Sequence, residues 1–367
     1  MKKGFALLLS VVLLLTLVTG CVSQSSAPAS SAPASSAPAS SAPAPAAFAQ
    51  DGKIPIPDSL KGKTLTLTCG WSSGSLEIMC RTLQAIIKER QGVDIVVEIM
   101  EGSGGSVAML DCLNGPKDGT RLTIGGPNTF IFMNDGSLPS EVSDYTFVSS
   151  LIRESRVCLV RPDSPITTIE QFADLLTNGP NKPYQIASTS AGGVGEAAAL
   201  SVIAALGLDN NSVVSVPFPG PGRSIAELLG GHVDFVMCKF SDCPSQLASG
   251  EVRPLFSQTY DKVEVYPGME LFPDVPTIVD TDFWGERIAF GDPKYLTQCL
   301  VGPPGMPQDV VDFYAALFKD ALESDTYQEK CREAALTTDP VISGEEMKGL
   351  ANQLRNDFGI MVETYYK

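Results

Sequence analysis

Residues 64–100 read TLTLTCGWSSGSLEIMCRTLQAIIKERQGVDIVVEIM, and this stretch decides the fold class. From Thr64 to Cys69, Leu65 and Leu67 alternate with threonines, the two-residue period of a strand with one buried face. Leu76, Met79, Leu83, Ile86 and Ile87 then recur at helical spacing until Gln91-Gly92 stops the run. Val93 to Met100 turns apolar again as a second strand. A strand, a helix and a strand in that order form the crossover unit of a parallel sheet.

The pattern repeats outward along the chain. Arg156 to Val160 reads as a strand, Thr167-x-x-Glu170 as a capping box opening a helix, and Tyr184 to Ser188 as the next strand. Ser224-x-x-Glu227 predicts another helix start, closed by Gly230-Gly231 before a buried strand at Val233 to Met237. Pro307 sits at a helix start, with Val310, Tyr314, Leu317 and Ala321 along one face. Ser343-x-x-Glu346 caps the last helix, where Met347, Leu350, Leu354 and Phe358 form one stripe. The class is α/β with mostly parallel sheets. Ligands bind such sheets outside the carboxyl ends of strands, which directs attention to the loops after Cys69, Met100, Gly125 and Ser188.

The amino end has a different character. Met1-Lys2-Lys3-Gly4 precedes an apolar run from Phe5 to Val18, too short to span a bilayer, as in a signal peptide over residues 1–20. It closes on Val18-Thr19-Gly20-Cys21, which resembles a lipobox, so Cys21 is expected to carry a diacylglycerol anchor. Residues 25–44 hold four copies of Ser-Ser-Ala-Pro-Ala, a tract with nothing to bury and a stiffening proline in each repeat; residues 21–50 read as anchor and spacer. The roughly 310 residues after Ile54 suffice for two lobes.

Cleavage removes Lys2 and Lys3, taking the 26 basic residues to 24 against 42 acidic ones, a net charge of −18. Such a surface disfavours nucleic acid and anionic lipid, leaving the anchor as the membrane contact. It does not exclude an anionic ligand, since local backbone dipoles can outweigh distant charge. The eight further cysteines, Cys69, Cys80, Cys112, Cys158, Cys238, Cys243, Cys299 and Cys331, mostly lie in apolar stretches and read as buried thiols, Cys238 and Cys243 being the pair best placed for a disulfide. Without histidine partners they do not form a zinc pattern, and no cofactor is implied.

Gly70-Trp71-Ser72-Ser73-Gly74 has the G-x-S-x-G form of a hydrolase elbow, between a strand and a helix. A serine esterase using Ser72 would need a general base, and His232 is the only histidine in the chain. It lies in Gly230-Gly231-His232-Val233-Asp234, a helix-to-strand turn at the pole opposite the strand-carboxyl loops. Gly102-Ser103-Gly104-Gly105 and Ser188-Thr189-Ser190-Ala191-Gly192-Gly193-Val194-Gly195 also follow strands. Neither is a Walker loop, but both offer backbone N–H groups and hydroxyls, the second at a helix start, which suits a carboxylate.

Taken together, these residues resemble the solute receptors of tripartite tricarboxylate transporters, the Bug-like extracytoplasmic binding proteins. The likeness runs through Gly102-Ser103-Gly104-Gly105, Pro116-Lys117-Asp118-Gly119-Thr120-Arg121-Leu122 and Arg161-Pro162-Asp163-Ser164-Pro165. It continues through Val216-Pro217-Phe218, Leu228 to Asp234, Pro273-Asp274-Val275-Pro276-Thr277 and Gly302-Pro303-Pro304-Gly305-Met306-Pro307. It implies a two-lobed Venus flytrap, each lobe a Rossmann-like mostly parallel sheet flanked by helices, with residues 55–158 plus 283–367 as one lobe and 159–282 as the other. It also implies a monomeric receptor that delivers a small carboxylate or amino acid to membrane permease subunits; a receptor for another transporter class is the alternative.

By position, the resemblance places the first binding loop at Trp71 to Glu77 and the second at Ser188 to Glu196. The ligand-binding set is then Trp71, Ser72, Ser73, Ser75, Glu77, Ser103, Asn128, Ser188, Thr189, Ser190, Gly192, Gly193, Glu196 and Asp242. This chain departs from the family in carrying Trp71-Ser72-Ser73-Gly74 and Glu77 where Pro-Pro-Gly-Gly and an aspartate are usual, and Glu196 and Ala199 where serine and histidine are usual. Glu196 beside an anion cradle would repel a second carboxylate and could accept an ammonium, while Trp71 could cover an amine or a ring, so a monocarboxylate or zwitterion is the expected ligand.

Overall fold

The computed structural model describes residues 52–72, 75–180, 183–189, 191–208, 212–259, 266–277, 293–338 and 341–365. Cys21 and the Ser/Ala/Pro spacer lie outside them. The opening unit forms as its periodicity requires. Strand β1 (Leu65–Cys69) turns Leu65, Leu67 and Cys69 into the core, and α1 (Ser75–Gln91) buries Leu76, Met79, Leu83, Ile86 and Ile87. Next, β2 (Ile95–Ile99) pairs parallel to β1 with Leu67 opposite Val97. α2 (Ser106–Asn114) leads to β3 (Arg121–Gly125), parallel to β1 on its other side, and α3 (Pro127–Asp135) leads to β4 (Thr146–Arg153).

The chain then leaves the first sheet. Only Glu154 and Ser155 separate β4 from β5 (Arg156–Val160), which belongs to a second sheet with β6 (Tyr184–Thr189), β7 (Val213–Phe218), β8 (Phe235–Lys239) and β9 (Arg253–Gln258). Between these strands run α4 (Ile169–Asn178), α5 (Val194–Ala205), α6 (Pro221–Leu229) and α7 (Pro244–Ser249). After β9 the chain returns to the first sheet as β10 (Thr297–Gly302). It ends in α8 (Gln308–Leu322) and α9 (Asp325–Glu333), of which both pack on α1, and α10 (Gly344–Tyr365), which covers α3 and β4.

Both sheets have five strands, in the orders β2-β1-β3-β10-β4 and β7-β6-β8-β5-β9. In each, a single strand opposes the other four: β10 is antiparallel to β3 and β4, and β5 to β8 and β9. The sequence pattern reads β5, α4 and β6 as a parallel unit, and the structure corrects this. β4 ends at the edge where the sheets meet, so a strand starting two residues later must run away from that edge. β6, β7 and β8 run toward it. β10, the first strand after the return, is reversed for the same reason.

Two of the three capping boxes also need adjustment. Thr168, not Thr167, caps α4, its hydroxyl accepting from the Gln171 N–H at 3.3 Å. Ser224 lies inside α6, which starts at Pro221, and its hydroxyl donates to the Ser188 carbonyl at 3.1 Å. Ser343 and Glu346 do form a reciprocal pair, the Ser343 N–H donating to Glu346 at 3.0 Å and the Glu346 N–H to the Ser343 hydroxyl at 3.3 Å.

Each sheet has its own apolar core. Leu67, Ile87, Ile124, Tyr314 and Leu317 gather around the first, and Phe172 meets Phe235 edge-on at 4.7 Å between centroids on the second. All eight body cysteines are buried thiols. The sulfurs of Cys238 and Cys243 lie 3.9 Å apart, so the pair favoured for a disulfide is unbonded. Burial raises the Cys158 and Cys299 thiols far above their usual range, keeping them protonated and inert.

Candidate functional site

β1, β2 and β3 end at one edge of the first sheet, and β6 at the facing edge of the second. The loop after β1 is held from below and from the side. The Cys69 thiol donates to the Trp71 carbonyl at 3.2 Å, and the thiol's acidity is raised chiefly by its contact with Cys80. The Ser72 N–H donates to Glu101 at 3.2 Å, and the Ser72 hydroxyl donates to the same oxygen. Glu101, in the loop after β2, escapes a motif-based reading because it stands just outside the glycine-rich segment.

Gly105 closes this corner. Its backbone sits at φ +97°, and a Cβ there would lie 2.7 Å from the Trp71 ring and 3.2 Å from the Thr129 methyl. Only glycine fits where the Trp71 ring meets the loop after β2. Ser103 occupies the exposed tip at φ +44°, a left-handed conformation unusual for serine.

α3 carries the contact between sheets. The Asn128 side-chain oxygen, in its first turn, accepts from the Val194 N–H, the first residue of α5, at 2.7 Å. Phe132, one turn on, lies beside both Gly104 and Gly192: Cβ atoms built on them would meet its ring at 2.6 and 3.8 Å. The amino end of α5 therefore faces the loops of the first sheet. At that end Glu196 turns back, and its carboxylate accepts the Gly192 N–H at 2.8 Å. Ser188 is fully buried at the end of β6, and its hydroxyl has no partner.

Other residues of the expected set stand apart. Glu77 pairs with Arg81 along α1 at 3.3 Å, and Ser75 is the first residue of α1. Asp242 follows β8, accepts the Lys239 N–H at 3.0 Å, and has its pKa raised by burial against the pull of Lys239. Thr189 ends β6 and Gly193 precedes α5. Ser73 and Ser190 lie outside the described residues. The esterase pair does not meet. His232 is exposed in the turn before β8, at the far edge of the second sheet, with its Nδ1 2.7 Å from Glu227. The described residues contain no cluster of three or more His, Cys, Asp or Glu side chains placed to hold a metal.

Two α/β sheets, crossed twice by the chain and meeting through strand-end loops, define a two-lobed solute-binding protein. Residues 79–362 match the model of the tripartite tricarboxylate transporter family receptor, and the chain belongs to that family. Receptors of this family work outside the cytoplasm. A solute-binding protein of the same kind from Polaromonas superposes with a TM-score of 0.67 at 15% identity, over 83% of this chain and 99% of that one. MatC from Rhodopseudomonas palustris, with bound malate, gives 0.60 at 20% identity over 82% and 99%. A UPF0065 protein of Agrobacterium vitis is 24% identical over 210 residues, 56% of this chain and 58% of the relative, so that match spans less than two thirds of the relative's length. No helix among the described residues is long and apolar enough to cross a membrane.

Proposed function

We propose that this chain is a lipid-anchored receptor that binds a small organic carboxylate between its two lobes and passes it to a permease of the tripartite tricarboxylate type. The observation that carries the reading is the amino end of α5, a partial positive charge that meets Asn128 and stands beside Phe132 of the first sheet's α3. The Glu196 carboxylate on the Gly192 N–H offsets part of this dipole, so the backbone donors of the neighbouring loops, more than net charge, would hold the anion. The bound malate of MatC supports the same ligand class. The first sheet with its helices acts as one lobe and the second sheet, which begins at Arg156 rather than at residue 159, as the other, with Asn128 and Val194 meeting as they close.

Cys21 and the spacer keep the receptor within reach of one permease, which raises its effective concentration there without any new contact. A thermal-shift screen of the full chain against mono- and dicarboxylates and amino acids tests the reading. A ligand at 100 times its dissociation constant should add about 2.7 kcal/mol of stability. A flat response across the panel overturns it. Cys21→Ser should lose the lipid and reduce the share of the protein in the membrane fraction relative to the soluble extracytoplasmic fraction.

A further inference from the structure

Buried polar atoms without a hydrogen-bond partner are rare in folded proteins. Among the described residues nine carry them, and five of these, Ser106, Ser155, Arg156, Ser188 and Gln298, stand at or near element ends on the sheet edges that face each other. Ser106 opens α2 after the glycine loop, and Gln298 stands in β10 against Gly126, just ahead of Asn128. Ser155 is in the crossing, Arg156 begins β5 and Ser188 lies near the end of β6.

Arg156 is the decisive member. Its side chain is 1% exposed, and neither Nε nor Nη1 has an acceptor. Cys158 and Val160 share a cluster with α5, whereas Val157 and Leu159 pack on the opposite face. Alternation along β5 therefore points Arg156 toward α5. Gln258, its partner in register, agrees, since its amide donates to Ser201 of α5 at 3.1 Å. Ser188 stands on the same face, in one row with Met237 and Cys158. Among the described residues the acid paired with Arg156 is Glu154, 3.9 Å from Nη2, and Glu154 also takes the Lys239 ammonium. Asp242, the next acid, accepts the Lys239 N–H at 3.0 Å, and burial raises its pKa against the pull of Lys239 and Arg156.

We propose that Arg156 is a specificity-determining residue that holds a second carboxylate of the ligand through Nε and Nη1, so that the receptor prefers dicarboxylates to monocarboxylates. A guanidinium presents paired donors that match a carboxylate, and a buried one with free donors is stabilised most by such a guest. β8 alone separates β5 from β6, a gap of about 9.6 Å between strands. An arginine side chain and a diacid the size of succinate to adipate bridge it, leaving the other carboxylate at the amino end of α5. The inference rests on the receptor reading above and replaces the expectation of a monocarboxylate or zwitterion.

The test is calorimetric titration of the full chain with adipate against hexanoate and succinate against butyrate. Each diacid should bind about 10- to 100-fold tighter than its monoacid, as charge-assisted hydrogen bonds imply. Arg156→Gln should abolish that preference while changing monoacid affinity by no more than about threefold. Equal wild-type affinity for the two classes, or a variant that weakens both alike, overturns the proposal and leaves the receptor reading standing. Binding of neither class defeats the receptor reading itself. Should Arg156→Gln fail to fold, the wild-type arginine Nε–H resonances decide. Adipate and not hexanoate should shift one buried signal that Arg156→Lys removes, and no such shift overturns the proposal.

Discussion

Glu196 shows how one carboxylate can be read two ways from sequence and one way from structure. Beside an anion cradle it suggests a receptor for an ammonium group. In the fold it accepts the Gly192 N–H at 2.8 Å and is 8% exposed, so it serves as a cap for α5. Glu196→Gln keeps an acceptor but loses the charge at a helix amino end, and should cost about 0.5–1 kcal/mol in denaturant unfolding. Selectivity between amines and diacids should stay unchanged; a switch toward diacids would restore the ammonium role. Arg156 is the opposite case, since an arginine opening the strand Arg156-Val157-Cys158-Leu159-Val160 carries no motif. Its role depends on which face of a sheet it joins, and alternation alone does not specify what covers that face.

At the scale of elements, helices whose ends are marked by side-chain chemistry are the ones the sequence places well. Ser343 and Glu346 exchange hydrogen bonds across the first turn of α10, which packs on both α3 and β4. Ser343→Ala should destabilise the chain by about 1 kcal/mol, read as a lower denaturation midpoint at unchanged slope. Ser224 has the same spacing to Glu227, yet Pro221 starts α6 a turn earlier and Ser224 becomes a buried link to the Ser188 carbonyl. A capping pattern is local, and the tertiary position of Pro221 overrides it. The strands behave alike: β1 and β2 follow their periodicity, whereas the direction of β5 depends on where the chain crosses between sheets.

The whole molecule is acidic, and its response to acid follows from carboxylates paired in the folded state. Asp118, in the turn before β3, takes the Thr120 hydroxyl at 2.7 Å and Lys63 at 2.9 Å, and these contacts, the hydroxyl first, hold its pKa down at about 2. Because the folded value lies below the unfolded one, its contribution is present above about pH 3.9 and is lost as pH falls toward 2. Asp118→Asn should therefore be less stable than wild type at neutral pH and converge with it near pH 2. With Asp118 37% exposed, the difference should be about 1 kcal/mol or less after solvent screening, measured by denaturant unfolding across that range.

The sequence by itself determined the α/β class, the placement of β1, α1, β2 and α8, the burial of the cysteines and the glycine-rich loops as strand-end loops. Each of these depends on side chains within a few residues of one another, where hydrophobic period and turn chemistry act directly. Only the tertiary structure decided which strand in each sheet runs backward, that Asn128 meets Val194, that Trp71 rests on Gly105, and that Arg156 stands with free donors between the lobes. Those facts join residues far apart in the chain, and their energies come from packing and desolvation once the two sheets face each other, which no local pattern encodes.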